Sequence, residues 1–192
     1  MTILTLSGKA ESGKDKTAKM IAEELELMGY QVLICHFADL LKYICKQYFG
    51  WDGKKNEEGR SLLQIVGTDT IRKQDEGFWV DFIKSILRFF PDEWDFVIIS
   101  DCRFPNEILS FKEDDEFKTV SVRIVRPNYE NHLTEEQRKH PSENALNDFR
   151  FDFEIINPGT CEGLENEVKG FISHLFSEDN KKTLIDKIKE KL

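Results

Sequence analysis

Seven residues concentrate the chemical possibilities of this chain: Gly8, Lys9, Ala10, Glu11, Ser12, Gly13 and Lys14, which spell G-x-x-x-x-G-K. Glycines let a short loop curl until successive backbone N–H groups face one anion. A lysine closing the loop can reach the terminal phosphates of a nucleoside triphosphate. The residue after the lysine is Asp15, where this loop type ordinarily carries a Ser or Thr for Mg²⁺. A carboxylate is also an oxygen ligand, so Asp15 can serve Mg²⁺ directly or through water, or it can complement a helix N-terminus. Lys16 follows, and Thr17 is a weaker hydroxyl candidate.

A second group lies at Phe96–Asp101, FVIISD. An apolar strand ending in an acid suits Asp101 to holding Mg²⁺ beside a phosphate loop. Arg103 stands just past it, where α/β folds bind ligands, although a surface ion pair is the plainer account. Asn106 and Glu107 read as the start of the next helix.

These residues need elements to hold them. Ile3–Leu6, Val32–Cys35, Phe96–Ile99, Val120–Val125 and Phe153–Ile156 are short apolar runs that read as strands. The first three are continuous, as in parallel strands covered on both faces, and the alternating fourth is expected nearer an edge. Ala18, Ile21, Ala22, Leu25 and Met28 form a helical stripe that stops at Gly29. Phe78 to Phe90 and Leu164 to Leu175 carry two more, and residues 38–49 and 60–73 read as further helices. Such stripes are core faces first. The alternation predicts one α/β domain over 1–192 with a mostly parallel five-stranded sheet. Residues 37–91 form a helical insertion in this reading and the polar stretch 126–150 a loop or lid. Residues 177–192 are expected to make a charged helix on the surface.

Composition excludes other classes. The chain has 27 Lys and Arg against 36 Asp and Glu, a formal charge of −9, which disfavours a nucleic-acid partner. No apolar run approaches the roughly 20 residues of a membrane span, and no signal peptide is visible. The four cysteines, in no CxxC pair, read as reduced thiols, and a cytoplasmic location is expected. A homodimer is compatible with the sequence, which does not determine it.

Taken together, SGKD at Ser12–Asp15, LLQIVGTDTIR at Leu62–Arg72, Trp79, SDCRFPNE at Ser100–Glu107 and HPSENAL at His140–Leu146 resemble the deoxynucleoside monophosphate kinases. This family is common in bacteriophages and prophages. The likeness runs from about Thr2 to Leu175 and leaves the tail uncovered. Lys16 and Cys102 depart from the usual pattern. The resemblance implies an adenylate-kinase-like P-loop fold, with ATP on the phosphate loop and the acceptor monophosphate under the helical insertion. Lys14 would hold donor phosphates, Arg72 and Arg103 the acceptor phosphate, and Arg126 and Arg138 would cover the transferring group unless they are solvated charges. Lys42 is a weaker acceptor-side candidate. Phe37, Trp79, Gln64 and Thr68 have the chemistry for a base slot, with core packing the alternative for the aromatics. His140, Ser142 and Glu143 resemble a family motif of underived role, and a helix N-cap at Ser142 is the simple account. Two rival classes stay open: a kinase for another phosphorylated small molecule, such as phosphomevalonate or dephospho-coenzyme A, and a noncatalytic nucleotide sensor. A GTP switch is disfavoured because no NKxD motif is present.

Overall fold

The computed structural model describes residues 1–189, with side chains described through Ser177. Five strands form one sheet: β1 Thr2–Ser7, β2 Val32–Cys35, β3 Phe96–Cys102, β4 Lys118–Val125 and β5 Phe153–Ile156. Their order is β2-β3-β1-β4-β5, and every neighbouring pair is parallel. Because successive side chains of a strand face opposite ways, β1 feeds two cores. Leu4 and Leu6 join Ile98 and Ile124 under α1 (Lys14–Leu27) and α8 (Cys161–Lys189). Ile3 joins Val97 and Ile99 under α4 (Phe78–Phe89) and α5 (Pro105–Lys112). With both faces covered, β1 is placed at the centre, and its carboxyl end carries the Gly8–Lys14 loop.

Strand positions refine the reading of the sequence. β2 pairs only with β3 and is half-buried throughout, an edge strand whose two faces are nonetheless both covered, Val32 and Ile34 packing on one core and Leu33 and Cys35 on the other. β4 lies one strand in, with β5 outside it. Its polar Ser121 is fully buried because the backbone N–H and the hydroxyl both donate to Asp152, each at 2.8 Å.

Between β2 and β3 stand α2 (Phe37–Tyr48), α3 (Glu57–Gln64) and α4. The helix expected over 60–73 is not uniform. α3 runs directly into a π-helical segment, Ile65–Arg72. This wider coil brings Gly67 against α2, where a Cβ would lie 2.6 Å from Leu41 Cδ2, and its carbonyl accepts from Trp79 Nε1 at 3.2 Å. π-helical turns are rare in proteins and frequent at functional sites.

Between β4 and β5 the chain makes two short helices, α6 (Glu135–Lys139) and α7 (Pro141–Asn144). Ser142 is not the N-cap of α7. His140 is, its imidazole accepting from the Ser142 N–H at 3.2 Å, because Pro141 at the first helical position has no N–H to offer. The tail does not start a separate helix at Ser177, since α8 is continuous from Cys161 to Lys189. The apolar stripe that the sequence places on this tail helix, Leu184, Ile185, Ile188 and Leu192, lies outside the residues whose side chains are described. No helix among the described residues is long and apolar enough to cross a membrane. All four cysteines are free thiols, and the burial of Cys35 and Cys102 pushes both well up.

Candidate active site

The Gly8–Lys14 loop turns tightly between β1 and α1. Gly13 has φ of +99°, and a Cβ there would come 2.5 Å from Asn157 Nδ2. A Cβ on Gly8 would lie 2.4 Å from the Ile124 carbonyl of β4. Both positions therefore require glycine, one for its dihedral and both for space. Glu11 also has positive φ, +62°, which a non-glycine residue adopts only when held. It is held: its carboxylate accepts from Tyr129 Oη, from the His132 backbone and from Arg60. Glu11 thus ties the loop tip to the β4–β5 connection and to α3, and its side chain does not face an anion.

Lys14 is buried, and its ammonium donates to the Gly8 and Lys9 carbonyls at 3.0 and 2.8 Å. Burial, reinforced by the positive Arg103, lowers its pKa to about 7, against the pull of Glu143, Asp15 and Asp101. Asp15 opens α1 with its side chain 71% exposed and accepts from Ser100 Oγ at 3.1 Å. Thr17 is fully buried and its hydroxyl donates to the Gly13 carbonyl, so it is committed to the helix.

Asp101 ends β3, and its two oxygens accept from the Phe37 and Ala38 N–H groups, both at 2.9 Å. It therefore caps the first turn of α2. Burial pushes its carboxyl up, opposed by those donors and by His36. Arg103 extends back over the loop to the Gly8 carbonyl at 3.4 Å.

A cavity of about 560 Å³ joins these groups to the helical insertion. Phe37, Gln64, Thr68 and Trp79 line it, together with Lys42, Arg72 and Lys16. Phe37 and Trp79 are both buried core members and cavity wall, so the two readings of the aromatics are not exclusive. Seven Lys or Arg line the space against five Asp or Glu, a local reversal of a chain whose net charge is −9. Lys42 is tied to Asp39 at 2.8 Å. Arg72 is buried, stacks 4.0 Å above the Phe104 ring, and pairs with Asn106 and Glu107.

Two sequence candidates lie apart from this cavity. Arg126 stacks on Tyr129 at 3.7 Å and lines a smaller space of about 180 Å³ between the loop and the β4–β5 connection. Arg138 is bonded to the Asn131 carbonyl at 3.0 Å, in the connection itself.

The comparisons with known proteins bear on what this arrangement does. Residues 46–168 match the family described as deoxynucleotide monophosphate kinase. The chain belongs to that family. As a member, it is a nucleotide monophosphate kinase. A curated relative, Uncharacterized protein ORF77 of Ictalurid herpesvirus 1, is 29% identical over 173 residues, covering 89% of this chain and 70% of its own. Among solved structures, thymidylate kinase from Ehrlichia chaffeensis superposes with a TM-score of 0.53 at 14% identity, over 91% of this chain and 98% of that one. Shikimate kinase from Bacteroides thetaiotaomicron superposes with a TM-score of 0.50 at 12% identity, covering 91% and 98%. These likenesses show the P-loop kinase fold.

Sequence reading assigned no role to two acids of this kinase. Glu143, on α7, lies against the phosphate loop: its carboxylate accepts from the Ala10 N–H at 3.0 Å and from Arg103 Nη1 at 2.6 Å. Lys9 donates to its backbone carbonyl at 2.5 Å. Glu107, expected only to open α5, is buried with Arg72. Each lies dozens of residues from its partner, so the motifs that contain Glu143, Glu107 and Arg72 gave no sign of which charges they meet.

Proposed function

We propose that this kinase transfers the γ-phosphoryl group of ATP, with Mg²⁺, to the phosphate of a deoxynucleoside 5′-monophosphate. The observation carrying this reading is the single cavity in which Lys14 and Arg103 at the phosphate loop face Arg72 and the Phe37–Trp79 slot. The transition state of such a transfer is loose, with charge spread over three equatorial oxygens, so positioning and positive charge do most of the work. An acceptor phosphate has its second pKa near ~6 and is already ionised at neutral pH, so it needs no general base.

In this reading Lys14 holds the donor phosphates with the N–H groups of Ala10 to Lys14 and the start of α1. Arg103 and Arg72 hold the acceptor phosphate, and Lys42 supports them. Phe37 and Trp79 flank the base while Gln64 and Thr68 address its polar edge. The residues also fit a magnesium ion, which takes oxygen ligands and keeps most of its waters. Asp15 is exposed beside Lys14 and can ligate it. Asp101, committed to the α2 N–H groups, can reach it only through water. The metal would neutralise phosphate charge. Residues 126–150 act as the lid, which carries Arg126 and Arg138 near the loop and must move for them to reach a phosphate.

The test is a coupled assay with ATP across dTMP, dGMP, dCMP, dAMP and their ribonucleotides. Turnover of at least one deoxynucleotide is expected. No turnover on any of them, with product from phosphomevalonate or dephospho-coenzyme A, would overturn the acceptor; nucleotide binding without transfer to any acceptor would overturn catalysis.

Glu143 occupies a place where an anion would sit, so donor binding must displace it. Removing its charge takes away a charge-assisted contact, and a gain of about 1.4 kcal/mol corresponds to tenfold in affinity. Glu143→Gln should therefore bind a non-hydrolysable ATP analogue about tenfold more tightly by calorimetry. Equal or weaker binding would show that Glu143 supports the donor rather than competing with it.

A further inference from the structure

Glu107 is 3% exposed, and both of its carboxylate oxygens accept hydrogen bonds. One carboxylate oxygen accepts from two consecutive backbone N–H groups, Arg103 at 2.6 Å and Phe104 at 3.0 Å. The other accepts from the Arg72 guanidinium. Arg72 is held on its second nitrogen by Asn106 Oδ1 at 2.9 Å and on its flat face by the Phe104 ring. Asn106 in turn donates to the Glu76 carbonyl at 2.9 Å, just before α4. The first turn of α5 is therefore a socket for one side chain delivered by the π-helical segment 35 residues earlier.

A carboxylate that only opened a helix would need just the two N–H groups. Arg72 is buried and also lines the cavity, so its charge is presented to the site. The pair joins the end of β3, which carries Arg103, to the helical insertion, which carries the base slot. We propose that Glu107 is the positioning residue of the acceptor-phosphate site, fixing the Arg72 fork and the Arg103 backbone in one rigid unit. This rests on the acceptor reading above. A planar guanidinium with one terminal nitrogen bound to a carboxylate and the other to an amide oxygen keeps its remaining N–H groups in a fixed direction, and that is what in-line transfer to a phosphate requires.

The charge is the essential feature. In Glu107→Gln the amide oxygen can still accept from the two N–H groups, but the amide nitrogen then confronts Arg72 donor to donor. The helix start is kept and the hold on Arg72 is lost. With the full chain, ATP, and each of dTMP, dGMP, dCMP and dAMP, the variant should show an acceptor KM raised at least ~10-fold, with the ATP KM within about twofold of wild type. Asn106→Ala, which removes the other polar hold on Arg72 from a less buried position, should raise the acceptor KM severalfold with the same sparing of ATP. Combining Glu107→Gln with Arg72→Lys should cost little more than Arg72→Lys alone, because both remove one interaction.

An unchanged acceptor KM in either single variant, an equal rise in both KM values, or multiplicative effects in the double variant would overturn the proposal. If Glu107→Gln does not fold, the Asn106→Ala result decides. Wild-type protein inactive on every deoxynucleotide would instead overturn the acceptor reading.

Discussion

Lys14→Ala should lower turnover by at least ~10²-fold without unfolding the protein, by analogy with removing one preorganised donor from a developing charge. The expectation follows from where the ammonium sits. It is buried and held by two loop carbonyls, with Arg103 beside it and no direct acidic partner among its hydrogen bonds. Its folded pKa is about 7, below the ordinary lysine value of 10.5. Between those two values the unfolded chain binds the extra proton, so the burial of Lys14 costs stability below pH 7 and this cost is relieved as pH rises towards 10.5. The alanine variant should therefore unfold at an equal or higher temperature than wild type at pH 6. A bound triphosphate would recharge the lysine, so calorimetric titrations at pH 8 in buffers of different ionisation heat should reveal proton uptake in wild type and less in the variant. Turnover near wild type would remove Lys14 from the donor site.

Arg72→Ala should destabilise the protein by about 3–5 kcal/mol near pH 8, the range found when one partner of a buried ion pair is removed. Glu107 would stay buried with two N–H donors and no counter-charge. Burial already pushes its carboxyl up to about 7, with Arg72 pulling the other way. Without Arg72 the pKa rises further, and an acid with a raised folded pKa loses stability as pH climbs through it. The deficit relative to wild type should therefore be small at pH 5, where Glu107 takes a proton, and widen towards pH 8. Urea unfolding at the two pH values measures it. A deficit independent of pH would mean that the loss is the Phe104 stack and not the charge pair.

What the chain declares locally and what it hides separate along a physical line. The dihedral freedom of Gly13, the short apolar run of β1 and the stripe of α1 all depend on near neighbours, so the strand–loop–helix unit around Lys14 and the parallel α/β class could be read directly. The apolar run Val32–Cys35 reports burial on both faces and not strand order; β3 lies between it and β1, and only the completed sheet decides which strand is the edge. The helix at 60–73 was visible by period, but its π character depends on packing against Leu41 and Trp79.

The same limit governs the candidate site. Asp101 and Arg103 were candidates from their place at the end of an apolar strand, and Arg72, Arg126 and Arg138 from the resemblance, the last two weighed against plain solvated charges. Tertiary structure ranked them: it engages Asp101 with the α2 backbone, gathers Arg72 and Arg103 in the cavity, and leaves Arg126 and Arg138 in the β4–β5 connection. Glu143 meets Ala10 across 133 positions, and Glu107 meets Arg72 across 35. By itself the sequence determined the phosphate loop and its flanking elements, because backbone geometry is set by adjacent residues. Which charges face each other was decided by the fold, because that depends on strand order and helix placement that no local pattern encodes.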